Sequence, residues 1–239
     1  DMGNSVASKA FIRGELEVLI KNSHGCSMPV SSWLAEGDVY DSDGNISDGI
    51  VPVLNEMQRS THEVSQNIRR GQTLFAVDAL HGDFDKVADK LFADGDNLNI
   101  SWLITDKFVG LLKNGDPETI RKFGRILQIR MKKGKGYLTF IDKMNRSKAD
   151  IFKSLDLEVK ASNLCNECNL PANEEYSFTC VIINANLAVY DDFPEHLFHI
   201  LGIMQDCNVS NYISEIEKKS GLNKLFLSKV LKFTKDFRA

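Results

Sequence analysis

Seven consecutive residues, Ser162-Asn163-Leu164-Cys165-Asn166-Glu167-Cys168, look built for chemistry. Asn163, Cys165 and Glu167 fall at every second position. An extended backbone would turn these three to one side and Leu164, Asn166 and Cys168 to the other. Such an edge offers an amide to hold a ligand, a sulfur to react and a carboxylate to accept a proton. Cys165 and Cys168 also have the separation of zinc ligands, and Cys180 or Cys207 with His196 or His199 could complete a set of four. Zinc on Cys165 would remove that sulfur from reaction, so the two readings compete.

The five cysteines, Cys26, Cys165, Cys168, Cys180 and Cys207, are odd in number and sparse, which points to a reducing cytoplasm rather than a disulfide-stapled scaffold. With 239 residues, 43% apolar and 26% charged, the chain can build a core without staples. Its 33 acidic and 29 basic side chains leave a formal charge of -4, so no extended nucleic-acid footprint is expected. No apolar run approaches the roughly 18 residues of a membrane span, and the opening residues lack the pattern of a signal peptide. Gly134-Lys135-Gly136 beside Lys132 and Lys133 is not a complete phosphate loop.

The elements that would carry these residues alternate. Leu16 to Ile20 suits a strand or a short helix, and Asp41-Ser42-Asp43-Gly44-Asn45 a surface turn. Leu54, Met57, Thr61, Val64 and Ile68 recur at helical spacing from about Pro52. Strands are predicted over Thr73 to Ala79, Leu98 to Ile104, Tyr137 to Ile141 and Phe178 to Ile183, with a short helix from Phe84 to Leu91. Asp116 should cap a helix with Pro117 in its first turn and Gly134 at its end. Its core stripe is read as Ile120, Phe123 and Leu127, widened by Ile126 and Met131. Asn145-Arg146-Ser147 reads as a polar turn. A helix through Leu197, Phe198, Ile200, Leu201 and Met204 follows, then a terminal one striped by Leu222, Phe226, Val230, Phe233 and Phe237. Strands alternating with helices predict an α/β fold of mainly parallel strands covered by helices.

Ser162-Asn163-Leu164-Cys165-Asn166-Glu167, then Leu170-Pro171, then Cys180-Val181-Ile182-Ile183-Asn184-Ala185-Asn186-Leu187, closely resembles the catalytic core of the ribonucleotide reductase large subunit, in its class I, diphosphate-reducing wording. Three upstream stretches carry weaker likeness. They are Gly44 to Pro52, Asn99-Ile100-Ser101 with Thr105-Asp106-Lys107-Phe108, and Gly134 to Tyr137 with Asp142 to Arg146. The resemblance implies a partial ten-stranded α/β barrel, mainly its first half with the finger loop. Residues 25–206 would be the catalytic part, 1–24 an N-terminal segment and 207–239 a divergent helical segment.

It also implies roles. Cys165 would carry a thiyl radical and take the ribose 3′ hydrogen, Glu167 would accept a proton from the 3′ hydroxyl, and Ser162 and Asn163 would bind the sugar. Cys180 would be one of two reducing thiols, with Cys26 a candidate partner. No directly bound cofactor or metal is expected, because a separate metal-containing small subunit generates the radical and a thiol reductant sustains turnover. The implied partners are a ribonucleoside diphosphate, that small subunit, and whatever closes the half-barrel. Closure could come from a complementary large-subunit fragment, from a second copy, or from the chain's own final helices. In the last case a non-catalytic assembly or binding protein would result. Ile68 stands where the family has a glycine, and the loop from Phe92 to Asn97 is shorter than the family's base-sensing loop. The family's second half-barrel, phosphate-binding turn and relay tyrosines have no counterpart in the sequence.

Overall fold

The computed structural model describes residues 6–21, 25–65, 73–93, 98–178, 183–192, 194–218 and 225–236. They form two compact units, Asp1–Leu170 and Pro171–Ala239.

The first unit is built on four parallel strands in the order β1-β4-β5-β6: β1 (Cys26–Pro29), β4 (Thr73–Asp78), β5 (Leu98–Leu103) and β6 (Tyr137–Thr139). Between β1 and β4 lie an antiparallel pair, β2 (Glu36–Val39) and β3 (Ile46–Asp48), and helix α2 (Val51–Ser65). Helix α3 (Phe84–Ala93) joins β4 to β5, and α4 (Asp106–Lys113) with α5 (Pro117–Lys133) joins β5 to β6. The region from Leu16 to Ile20 is helical, inside α1 (Val6–Lys21).

Alternation along the strands decides what each sheet face can hold. Phe75, Val77, Ile100 and Trp102 point to one side. There they meet Ile12 and Leu16 of α1, Leu54 and Met57 of α2, Phe84 and Leu91 of α3, Phe108 of α4, and Ile126 and Ile129 of α5. Phe84 and Trp102 pack with ring centroids 4.8 Å apart at the centre. The opposite face is narrower and more polar, carrying Ala76 and Leu103 with buried Ser101 and Thr139. Ile141, Val159 and Ala161 cover part of it.

Caps act where the sequence places them. The Asp116 carboxylate accepts from Thr119 N at 2.8 Å, Pro117 occupies the first turn of α5, and Gly134 closes it at φ 68°. Thr105 caps α4 through Phe108 N. Beneath the β2–β3 pair, the buried Asp83 carboxylate accepts from Glu36 N at 3.1 Å and Ile50 N at 2.9 Å. Gly49, at φ 75°, allows this approach, because a Cβ there would lie 2.3 Å from Asp83 Oδ2.

Three expectations change. In α5 the buried residues are Thr119, Ile126 and Ile129, whereas Ile120, Leu127 and Met131 are exposed. Two apolar arcs share this helix, and the sheet takes the one centred on Ile126 and Ile129. Asn145-Arg146-Ser147 is the last turn of helix α6 (Ile141–Ser147), followed by α7 (Asp150–Ser154). Ile141 therefore starts α6, and β6 stops at Thr139. Ile68, Asp94 to Asn97 and most of the Phe178 to Ile183 strand lie outside the described residues.

The second unit contains a 3-10 turn (Leu187–Asp192), α8 (Leu197–Lys218) and α9 (Leu225–Asp236). Phe233 of α9 is buried against Tyr176 and Phe178, and the Tyr176 hydroxyl donates to Asp236 at 3.0 Å. Leu222 and Phe237 of the expected terminal stripe lie outside the described residues.

Candidate active site

The segment leading to the reactive residues is held by a side chain rather than by strand pairing. Asn145 Nδ2 donates to Val159 O at 2.9 Å, and Asn145 Oδ1 accepts from Val159 N at 2.8 Å. Lys148 Nζ donates to Leu157 O at 2.6 Å. The chain is thereby laid along the polar face of the sheet with Val159 and Ala161 toward it.

Residues 162–168 then form a tight loop, not the extended edge that the period of two suggests. Asn163 N donates to Cys168 O at 3.2 Å, Asn166 N donates to Asn163 O at 3.0 Å, and Asn166 adopts φ 66°. Asparagine tolerates that left-handed conformation better than most residues. Asn163 organises the turn, its Oδ1 accepting from Glu167 N at 3.1 Å and Cys168 N at 3.0 Å while Nδ2 donates to Glu167 Oε1 at 2.5 Å. The predicted amide and carboxylate are therefore brought together, through turn geometry instead of strand alternation.

Three strands fix the loop to the sheet. Ser27 Oγ of β1 donates to Ser162 O at 2.5 Å. Asn166 Oδ1 accepts from Ser101 Oγ of β5 and Thr139 Oγ1 of β6, each at 3.1 Å, and those two hydroxyls lie 2.5 Å apart. Ser162 is buried, and its hydroxyl donates to Cys168 O at 3.0 Å. Sequence reasoning missed Ser27, Ser101, Thr139, Asn145 and Asn166 as positioning residues. A signal existed for two of them. Ser101 and Thr139 are polar residues inside the apolar runs Ile100 to Ile104 and Leu138 to Ile141.

Cys165 and Glu167 sit exposed on the loop, and Cys168 is partly buried. Partial burial raises the Cys165 pKa above the ordinary thiol value, with smaller contributions from Glu167 and Cys168. A thiol kept protonated is poorly prepared as a nucleophile but retains the hydrogen that atom transfer requires. Cys26 packs against the main core at the start of β1, and burial pushes its pKa up to about 11. Cys180 lies outside the described residues. Among the described residues no three His, Cys, Asp or Glu side chains converge as a metal site, and no helix is long and apolar enough to cross a membrane.

Residues 118–205, from α5 through the loop into α8, match the ribonucleotide reductase barrel domain. A ribonucleoside-diphosphate reductase large-subunit homologue from Frog virus 3 (isolate Goorha) is 28% identical over 195 residues, or 72% of this chain and 34% of the viral one. The chain is similar to part of the ribonucleotide reductase large subunit. The ribonucleoside-diphosphate reductase large subunit of Invertebrate iridescent virus 3 is 33% identical over 93 residues, 38% of this chain and 14% of that protein. The alpha subunit of the Actinobacillus ureae class Id ribonucleotide reductase shares the fold with a TM-score of 0.76 at 24% identity, over 97% of this chain and 42% of that one. The chain spans about a third of the length of the Frog virus 3 protein it matches. The parallel sheet with a loop seated on its polar face is part of a reductase-type α/β barrel.

Proposed function

We propose that the chain supplies the finger-loop part of a ribonucleoside-diphosphate reductase, a complementary large-subunit segment providing the remainder of the barrel. The observation carrying this reading is the loop of residues 162–168, clamped by Ser27, Ser101 and Thr139 to the polar face of a parallel sheet. Three strands hold it, and it presents Cys165 beside the hydrogen-bonded pair Asn163 and Glu167.

In this reading Cys165 receives a radical generated in a separate metal-containing small subunit and removes the 3′ hydrogen of the ribose. Glu167 accepts the 3′ hydroxyl proton, and a thiol protonates the 2′ hydroxyl so that it leaves as water. The two thiols supply two electrons and the new C2′ hydrogen by joining as a disulfide, and Cys165 returns the hydrogen to C3′. Cys180 is one of those thiols, and an external thiol reductant restores the pair. Cys26, partly buried against the main core at the start of β1, is the candidate for the second. The reducing conditions this requires are those of the cytoplasm. Radical chemistry also needs water excluded from the sugar, whereas Cys165 and Glu167 are exposed here. Closure of the barrel would supply that exclusion. The same exposure favours, as a second reading, a non-catalytic assembly protein that keeps the loop as architecture.

The test mixes the full chain with candidate complementary large-subunit segments, a radical-generating small subunit, a thiol reductant and ribonucleoside diphosphates. Deoxyribonucleoside diphosphate should form only in the complete mixture, and Cys165→Ser should abolish it while leaving assembly intact. Undiminished turnover by Cys165→Ser would sink the catalytic reading. Assembly without turnover by the unmodified chain would favour the second.

A further inference from the structure

Cys168 takes no part in the chemistry above, yet it lies three residues after the reactive sulfur on the same loop. Position 168 is fastened to position 163 twice, Cys168 O accepting from Asn163 N at 3.2 Å and Cys168 N donating to Asn163 Oδ1 at 3.0 Å. Asn166 N also donates to Asn163 O at 3.0 Å, so the chain between folds back through the left-handed Asn166. The Glu167 carboxylate stands by both sulfurs. Its Oε1 is 4.0 Å from Cys168 Sγ. Burial first, then the charges of Glu167 and Cys168, raise the Cys165 pKa, so the three groups lie within electrostatic reach of one another.

The two sulfurs differ in access. Cys165 is exposed and Cys168 partly buried, an arrangement suited to one thiol that meets a reagent and a second that resolves the product. A disulfide uses a Cα separation of about 4.4–6.8 Å, a span open to residues three apart in a folded-back loop. Cys26 packs against the core from β1, and Cys207 belongs to α8 of the second unit, so neither shares this loop. Among the described residues no further His, Cys, Asp or Glu joins the pair to make a metal-binding group.

We propose that Cys165 and Cys168 form a reversible disulfide within the loop, which stores the reactive sulfur in an inactive form. That consequence rests on the radical role given to Cys165 above. The oxidant is a small-molecule disulfide of the glutathione class. The Cys165 thiolate attacks one of its sulfurs, the small disulfide bond breaks, and the first small thiolate leaves and takes a proton. The Cys168 thiolate then attacks Cys165 Sγ and expels the second small thiolate, which is protonated in turn. Two cysteines are oxidised, one small disulfide is reduced, and the two protons lost by the cysteines end on two small thiols. The raised Cys165 pKa slows the first attack near neutral pH, so the bond answers sustained oxidation rather than a brief pulse. While it stands, Cys165 has no hydrogen to exchange with a sugar, and a dithiol reverses it.

The full chain is held at pH 8 with excess oxidised glutathione, quenched with acid and cut after glutamate at acidic pH without reduction. Cleavage after Glu158, Glu167 and Glu174 parts the two cysteines, so the bond appears as peptide 159–167 joined to peptide 168–174. The joined pair should hold most of Cys165, with glutathione on Cys165 a minor product. Cys168→Ser, its far-ultraviolet circular dichroism unchanged, should carry tenfold or more glutathione on Cys165. Dithiothreitol should release both forms. Equal glutathione on Cys165 in the unmodified chain and in Cys168→Ser, a bond from Cys165 to Cys180 or Cys207 instead, or a Cys165 that stays free would each overturn the proposal. The readout needs no turnover. A chain that forms the bond but makes no deoxyribonucleotide in the complete mixture would count against the radical role and leave the disulfide standing.

Discussion

At the scale of single residues, the two thiols with altered acidity should behave differently for distinct reasons. Cys26 is partly buried against the core, and with a pKa of about 11 roughly a thousandth of it is thiolate at pH 8. Iodoacetamide should leave it intact in the native chain. Cys165 is exposed, so its alkylation is set by ionisation rather than access, and its pH midpoint should lie above that of a free cysteine. Because the Glu167 carboxylate opposes a second negative charge nearby, Glu167→Gln should move that midpoint down. The shift is read from alkylation rate against pH by mass spectrometry, and an upward shift would contradict the assigned electrostatics.

Asn145 belongs to the same scale although its effect is remote. Its side chain satisfies both backbone groups of buried Val159, so Asn145→Ala leaves a donor and an acceptor without that partner. The expected loss is about 1–3 kcal/mol in urea unfolding. Hydrogen exchange should also quicken over 157–168 and change little in β4. No pattern of hydrophobicity announces such a clamp, because its partners are fourteen residues apart in sequence and lie on no shared element.

Among elements, strands β4 and β5, the caps of α5 and the turn between β2 and β3 were legible because their signals are local. A run of apolar residues, an Asp before a Pro and a Gly after basic residues each act within one turn. The orientation of α5 was not legible. Ile120, Leu127 and Met131 repeat at helical spacing as well as Ile126 and Ile129 do, and only the neighbouring sheet decides between the arcs. The reactive loop was half legible. The residue types at 163, 165 and 167 stood out, but the turn is made by the Asn163 side chain and the left-handed Asn166, which a period of two cannot reveal. One prediction belongs here. Gly124→Ala should stabilise dilute protein by about 0.5–1 kcal/mol, as expected for an exposed helix interior with open space at the new methyl, measured by thermal unfolding.

For the whole molecule, the sheet predicts where protection against exchange should concentrate. β4 and β5 are paired on both edges and buried on both faces, whereas among the described residues β1 pairs only with β4 and β6 only with β5. Amides of Phe75, Val77, Ile100 and Trp102 should therefore exchange slowest and those of β6 much faster. Adding a complementary barrel segment should slow β6 selectively, because an unpaired strand edge is where new hydrogen bonds would form. Uniform slowing across the chain would argue for a different mode of assembly.

Both tryptophans, Trp33 and Trp102, fall within Asp1–Leu170, the second of them fully enclosed against Phe84. Indole emission, excited at the red edge where tyrosine is silent, is thus a private optical channel for the sheet-bearing unit. Circular dichroism registers α8 and α9 as well. A melt followed by both signals at once would show directly whether the two parts of the chain come apart together or in sequence.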